Sequence, residues 1–137
     1  MKSVLLLLLA GLAFSCQKQN VSPAPDATLT SGRIVALETT IDDQFKNPRP
    51  RWIIDISPIT LLGWNGIGYQ KAKTFSLPDT TTYKVGQTIL FHYQLVERAK
   101  ETPWQTGYER LSWQAIPPDY FVNPEITLSD VQLKKGN

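Results

Sequence analysis

Residues 82–98 read TYKVGQTILFHYQLVER. Val85-Gly86-Gln87 turns the chain. The alternation that follows puts Ile89, Phe91, Tyr93 and Leu95 on one face and Leu90, His92, Gln94 and Val96 on the other. Successive side chains leave a strand on opposite sides, so this period of two predicts a β-strand. Its first face is core and its second is mixed, as in an antiparallel sheet covered on one side.

The segments on either side read the same way. In SGRIVALETT, residues 31–40, Ile34, Ala36 and Glu38 share one side, and Val35, Leu37 and Thr39 share the other. DDQFKNPRP, residues 42–50, is a loop, with two prolines and no periodicity. RWIIDIS, residues 51–57, is the next strand, with Trp52, Ile54 and Ile56 facing together and Asp55 opposite. Asn65-Gly66 predicts a hairpin joining residues 60–64 to 67–75, with both turn positions at positive φ. Residues 99–109 are a loop or hairpin tip. RLSWQAI, residues 110–116, is a strand with Leu111, Trp113 and Ala115 together. Pro117 and Pro118 break it, because proline cannot donate to a ladder. ITLSDVQLKK, residues 126–135, is the last strand, its lysines guarding an edge. No segment keeps a period of 3.6, so the class is all-β. About five or six short strands fit a small barrel, which removes its edges by closing.

The N-terminus has a different character. A short basic start is followed by the apolar run Val4–Phe14, then by Ser15 and Cys16, the single cysteine of the chain. The run is shorter than the roughly 20 residues a spanning helix needs, and it has the make-up of a secretory signal. Ala13-Phe14-Ser15-Cys16 resembles the lipobox of bacterial lipoproteins, although leucine is commoner where Ala13 stands and Phe14 is bulky. The resemblance implies that residues 1–15 are a cleaved signal peptide. It also implies that the Cys16 thiol carries a diacylglyceryl group and that the new amino terminus is acylated, with palmitate the usual fatty acid. A single acyl chain holds a protein only marginally, whereas several make a durable anchor. Residues 16–29 then form the lipidated cysteine and a flexible polar tether, and residues 30–137 the domain. Gln17 after the cysteine, and the absence of an acidic run in QKQN, imply an outer-membrane anchor facing the periplasm. With Cys16 so used, no thiol remains for a disulfide, and the core alone must hold the domain together.

The domain resembles the OB-fold-like domains of Bacteroidota lipoproteins, the NigD-like group in particular. Gly32-Arg33-Ile34-Val35 matches their first strand. Val85, Gly86, Gln87, Ile89, Phe91 and Tyr93 match their vGq-x-v-x-v-x-Y strand. The stretch from Pro58 to Phe75 is longer and more aromatic than that pattern. The resemblance implies a small OB-fold-like barrel and an envelope address, and brings no catalytic activity with it.

The chain carries 14 basic and 12 acidic residues, and cleavage removes Lys2, so the charge is close to balanced. Dedicated nucleic-acid binders carry a strong basic excess, so the charge argues against nucleic acid as a partner. One histidine and one cysteine supply no metal cluster, and no cofactor is expected. Asp42, Asp43 and Glu38 lack the alternating oxygen spacing of a calcium loop. There is no nucleophile elbow and no phosphate loop. Asp55 and His92 are the candidate acid and base for an enzyme of envelope polymers, but neither has a convincing partner. The inventory favours a non-enzymatic protein. Its one suggestive feature is aromatic: Trp64 and Tyr69 flank the Asn65-Gly66 turn, and Trp104 and Tyr108 lie in another loop. With Arg49, Arg51, Lys71 and Lys73 near them in sequence, they are the candidate ligand residues. Stacking on sugars or bases is the functional reading, and closing the ends of a barrel is the structural one. The expectation is a lipid-anchored binding or accessory module for an envelope protein or glycan. The alternatives are an envelope-polymer enzyme and a binder of oligosaccharide or single-stranded nucleic acid.

Overall fold

The computed structural model describes residues 29–112 and 123–135. The expected signal peptide, Cys16 and most of the expected tether therefore lie outside the described residues, as do Trp113 and Ala115. The described chain is all-β apart from two short helical turns. Its strands are β1 (Thr30–Thr40), β2 (Arg49–Asp55), β3 (Leu61–Leu62), β4 (Gly68–Tyr69), β5 (Lys71–Thr74), β6 (Thr88–Leu95) and β7 (Ile126–Leu133). A 3-10 turn at Arg98–Lys100 and a helix α1 at Gly107–Ser112 lie between β6 and β7. No helix among the described residues is long and apolar enough to cross a membrane.

Five strands form one antiparallel sheet in the order β5-β2-β1-β6-β7, and β3 pairs with β4 as a separate hairpin. The two edges of the large sheet meet at one point. The Lys73 N–H donates to the Pro124 carbonyl at 3.0 Å, and Lys73 and Glu125 form a parallel bridge. One side of the sheet is the core, where Ile34, Ile54, Ile89 and Phe91 are fully buried and Trp52 nearly so. The alternation of residues 89–95 holds as read, although burial fades toward the strand end, where Leu95 is 46% exposed.

The structure departs from the sequence reading in four places. A bulge in β1 sets Ile34 opposite Ile54 but Ala36 opposite Ile53. Ile34 and Ala36 therefore lie on opposite faces, because one extra residue reverses the alternation. Strand β2 begins at Arg49, two residues earlier than read, because Thr39 and Thr40 continue β1 and pair with Pro50 and Arg49. The hairpin at Asn65-Gly66 exists, but only Gly66 has positive φ, at 78°. Asn65 acts through its side chain instead: Oδ1 accepts the Ile67 N–H at 3.1 Å, and Nδ2 donates to the Tyr69 hydroxyl at 2.8 Å. Gly66→Ala, which forces a side chain onto that φ, is expected to cost about 1 kcal/mol in a urea melt.

The fourth departure is α1, which replaces the start of the strand read at residues 110–116 and leaves Leu111 78% exposed. Its start is a capping box. Glu109 N–H donates to Thr106 Oγ1 at 3.1 Å, and Thr106 N–H donates to Glu109 Oε2 at 2.7 Å. Thr106-Gly107-Tyr108-Glu109 has the spacing that makes this possible.

Candidate functional site

The topology gives the sheet two ends. Strand β1 starts at the proximal end, where Arg33 pairs with Asp55 and Asp55 with Lys71. It finishes at the distal end, where Thr40 pairs with Arg49. The length of β2 separates the ends by about 20 Å.

At the distal end, the loop after β1 is tied down by one carboxylate. Asp42 Oδ1 accepts the Lys46 N–H at 2.8 Å and the Gln44 N–H at 3.1 Å, and Oδ2 accepts from Asn47 Nδ2 at 2.6 Å. The Lys46 N–H, helped by Asn47, Gln44 and the charge of Arg110, outweighs desolvation and holds the Asp42 carboxyl below the usual carboxylate range. The loop bends through two left-handed residues, Phe45 at φ 59° and Asn47 at φ 53°. The Asn47 carbonyl then accepts the indole N–H of Trp104 at 2.8 Å. Arg49 lies over the Phe75 ring at 4.7 Å and near the Trp104 ring at 5.8 Å. Arg110 lies over Phe45 at 5.2 Å and donates to the Ile41 carbonyl at 3.2 Å. Phe45 and Tyr108 are largely exposed.

The segment after β6 reaches this end by crossing the outer face of β2 and β5. Two buried cations hold it there. Arg51 pairs with Glu38 at 2.6 Å and with Glu109 at 2.9 Å, and Lys73 pairs with Glu101 at 2.9 Å. Glu125 accepts from the Thr102 N–H and hydroxyl at 2.8 and 2.7 Å. Burial pushes the Glu109 carboxyl up, but Arg51 and the Thr106 N–H and hydroxyl together bring it below its ordinary value.

At the proximal end, Trp64 and Tyr69 belong to the β3–β4 hairpin, and Arg98 stacks 3.4 Å above the centre of the Trp64 ring. The four candidate aromatics thus divide into two pairs at opposite ends of the sheet. The four candidate cations divide as well. Arg51 and Lys73 are internal ion-pair partners and unavailable to a ligand, which corrects the sequence reading of them. Arg49 and Lys71 remain exposed. The Arg49 carbonyl accepts the Thr40 hydroxyl at 2.8 Å, but among the described residues its guanidinium has no ion pair or hydrogen bond, so those N–H groups are open beside two rings. Phe45, Phe75, Arg98 and Arg110 were not distinguished in the sequence, since nothing local marks an arginine that will stack on a ring distant in the chain.

Asp55 accepts the Ser57 hydroxyl at 2.6 Å and the Ser57 N–H at 2.9 Å. Those bonds hold its carboxyl below the usual range, the wrong direction for a proton donor at neutral pH. His92 lies on the outer face of β6, with Nε2 4.0 Å from Asp130. No group of three or more His, Cys, Asp or Glu among the described residues is placed to hold a metal ion. No protein-family model matches the chain, and none of the curated proteins or solved structures compared with it matches either.

Proposed function

We propose that this chain is a bacterial envelope lipoprotein, anchored through Cys16 in the outer membrane and facing the periplasm. Its domain is an OB-fold-like barrel related to the NigD-like group, and it works as a non-catalytic binding module for an envelope glycan. The barrel reading is supported by the strand order and by the parallel contact between β5 and β7. OB-type barrels bind through the loop after their first strand and the loop before their last. The corresponding segments here are residues 41–48 and 96–125.

The observation that carries the binding reading is Arg49, open to solvent and flanked by Phe75 and Trp104 between those two segments. Aromatic faces stack on the apolar faces of sugar rings, and guanidinium N–H groups reach their hydroxyl or acidic substituents.

Titration calorimetry of the mature chain with soluble peptidoglycan and polysaccharide fragments tests this. Saturable binding is expected, weakened roughly tenfold by Trp104→Ala, the scale of one lost stacking contact. Arg49→Ala is expected to weaken it similarly. Wild-type affinity in both variants, or no binding to any envelope glycan, would contradict the reading. Binding to single-stranded nucleic acid that fell steeply with salt would favour the nucleic-acid alternative instead.

A further inference from the structure

We infer that the β3–β4 hairpin is a membrane-docking tip, which lays the proximal end of the domain on the phospholipid surface that holds its anchor. The inference rests on the Cys16 anchor of the proposed function.

The hairpin is short and presents large apolar side chains to solvent. Leu62 is 68% exposed, Ile67 55% and Trp64 41%. Three such residues within six positions form a patch and not a scatter of single side chains. The turn holds them rigidly. The Gly66 N–H donates to the Gly63 carbonyl at 2.9 Å, and the Gly63 N–H donates to the Ile67 carbonyl at 2.8 Å. A Cβ on Gly63 would lie 2.5 Å from the Tyr69 ring, so that ring packs directly on the turn. Tryptophan with aliphatic neighbours is the composition that partitions to the interface of a bilayer.

The polar surroundings fit the same surface. The Arg98 guanidinium carbon lies 3.4 Å from the centre of the Trp64 ring, and its guanidinium has no ion pair among the described residues. It is placed to meet a lipid phosphate as the indole enters the interface. Arg33 and Lys71 flank Asp55 across the sheet at this end, which leaves the local charge positive and suited to anionic phospholipid.

The position of the anchor selects the occupant. Strand β1 begins at Thr30, at the end of the sheet from which the hairpin projects. Only the 13 residues from Gln17 to Leu29 separate Cys16 from Thr30. However they are arranged, Cys16 lies at most about 50 Å from Thr30. The tether thus attaches at the end of the domain from which the hairpin projects, which favours that end for contact with the bilayer, although its reach exceeds the roughly 20 Å length of β2. A docked hairpin would turn the distal end, with Arg49 and Trp104, away from the bilayer.

The test uses the full-length lipidated protein in phosphatidylethanolamine–phosphatidylglycerol vesicles, some made with brominated acyl chains, which quench tryptophan that enters the bilayer. Flotation is measured first. The expected result is a chain that floats and whose fluorescence is quenched by the brominated lipid. Most of that quenching should be lost in Trp64→Phe and in Leu62→Asp/Ile67→Asp, and kept in Trp104→Phe. A chain that floats without quenching, or with quenching that survives Trp64→Phe, overturns the docking and leaves the anchor standing. A chain that does not float overturns the anchor reading and the docking with it.

Discussion

Arg51→Met is expected to destabilise the domain by about 3 kcal/mol and to lower its Tm by roughly 12–24 °C. Arg51 has only 5% of its side chain exposed, and it binds Glu38 at 2.6 Å and Glu109 at 2.9 Å. A buried cation removed from such a group leaves two carboxylates facing each other without compensation, and this costs far more than the intact group contributes. Glu38 keeps 34% of its side chain in water, which places the cost at the lower end of the range for buried pairs. The pH dependence provides a second check. The folded-state pKa of Glu109 is depressed below its ordinary value of 4.5. Its contribution is therefore complete above about pH 4.5 and is lost as pH falls through the folded value. The variant has no such contribution to lose, so the gap between the two proteins should narrow on acidification. A gap under about 1 kcal/mol, typical of exposed pairs, or one that stays constant down to about pH 4, would show that Arg51 does not hold the segment over the sheet.

Gly32→Val should be nearly as damaging, at about 3 kcal/mol. A Cβ at position 32 would lie 2.6 Å from Ile54 Cγ2 and 3.0 Å from the Phe91 ring. Ile54 and Phe91 are both fully buried. The two flanking strands are hydrogen-bonded to β1, so neither can retreat without breaking its ladder. Gly32→Ala combined with Phe91→Leu should then lose less stability than the two single changes summed, because the smaller side chain accommodates the new methyl group. Strict additivity in chemical denaturation would mean that the close approach is not what requires glycine there.

The strands were legible where one face is core and the partner imposes no irregularity. Ile89 and Phe91 in β6, and Trp52 and Ile54 in β2, face the core as their alternation predicts. The β1 bulge was not legible, because a bulge depends on the partner strand as well as on the strand itself. Helix α1 was partly legible: Thr106 and Glu109 have capping-box spacing, but six residues are too few to show a helical period. The candidate site was the least legible part. Arg51 and Glu109 are 58 positions apart. No local pattern separates an arginine used in such a pair from one left open like Arg49. Nor does sequence proximity show that Trp64 and Trp104 belong to opposite ends of a sheet.

That division gives the proposed function its physical form. One end carries an apolar hairpin near the start of β1. The other carries an open arginine between two rings, on segments fixed by Asp42, Arg51 and Lys73. A module docked on a bilayer through that hairpin would present its ligand face outward. The whole account depends on the fate of Cys16. The most direct measurement is mass spectrometry of the N-terminal peptide of the protein isolated from its native membranes, beside the Cys16→Ala form. The account predicts a mature chain that begins at Cys16, carries thioether-linked diacylglycerol and an N-acyl group, and leaves the membrane fraction when Cys16 is replaced. An unmodified Cys16, or membrane retention of Cys16→Ala equal to that of the wild type, would contradict it.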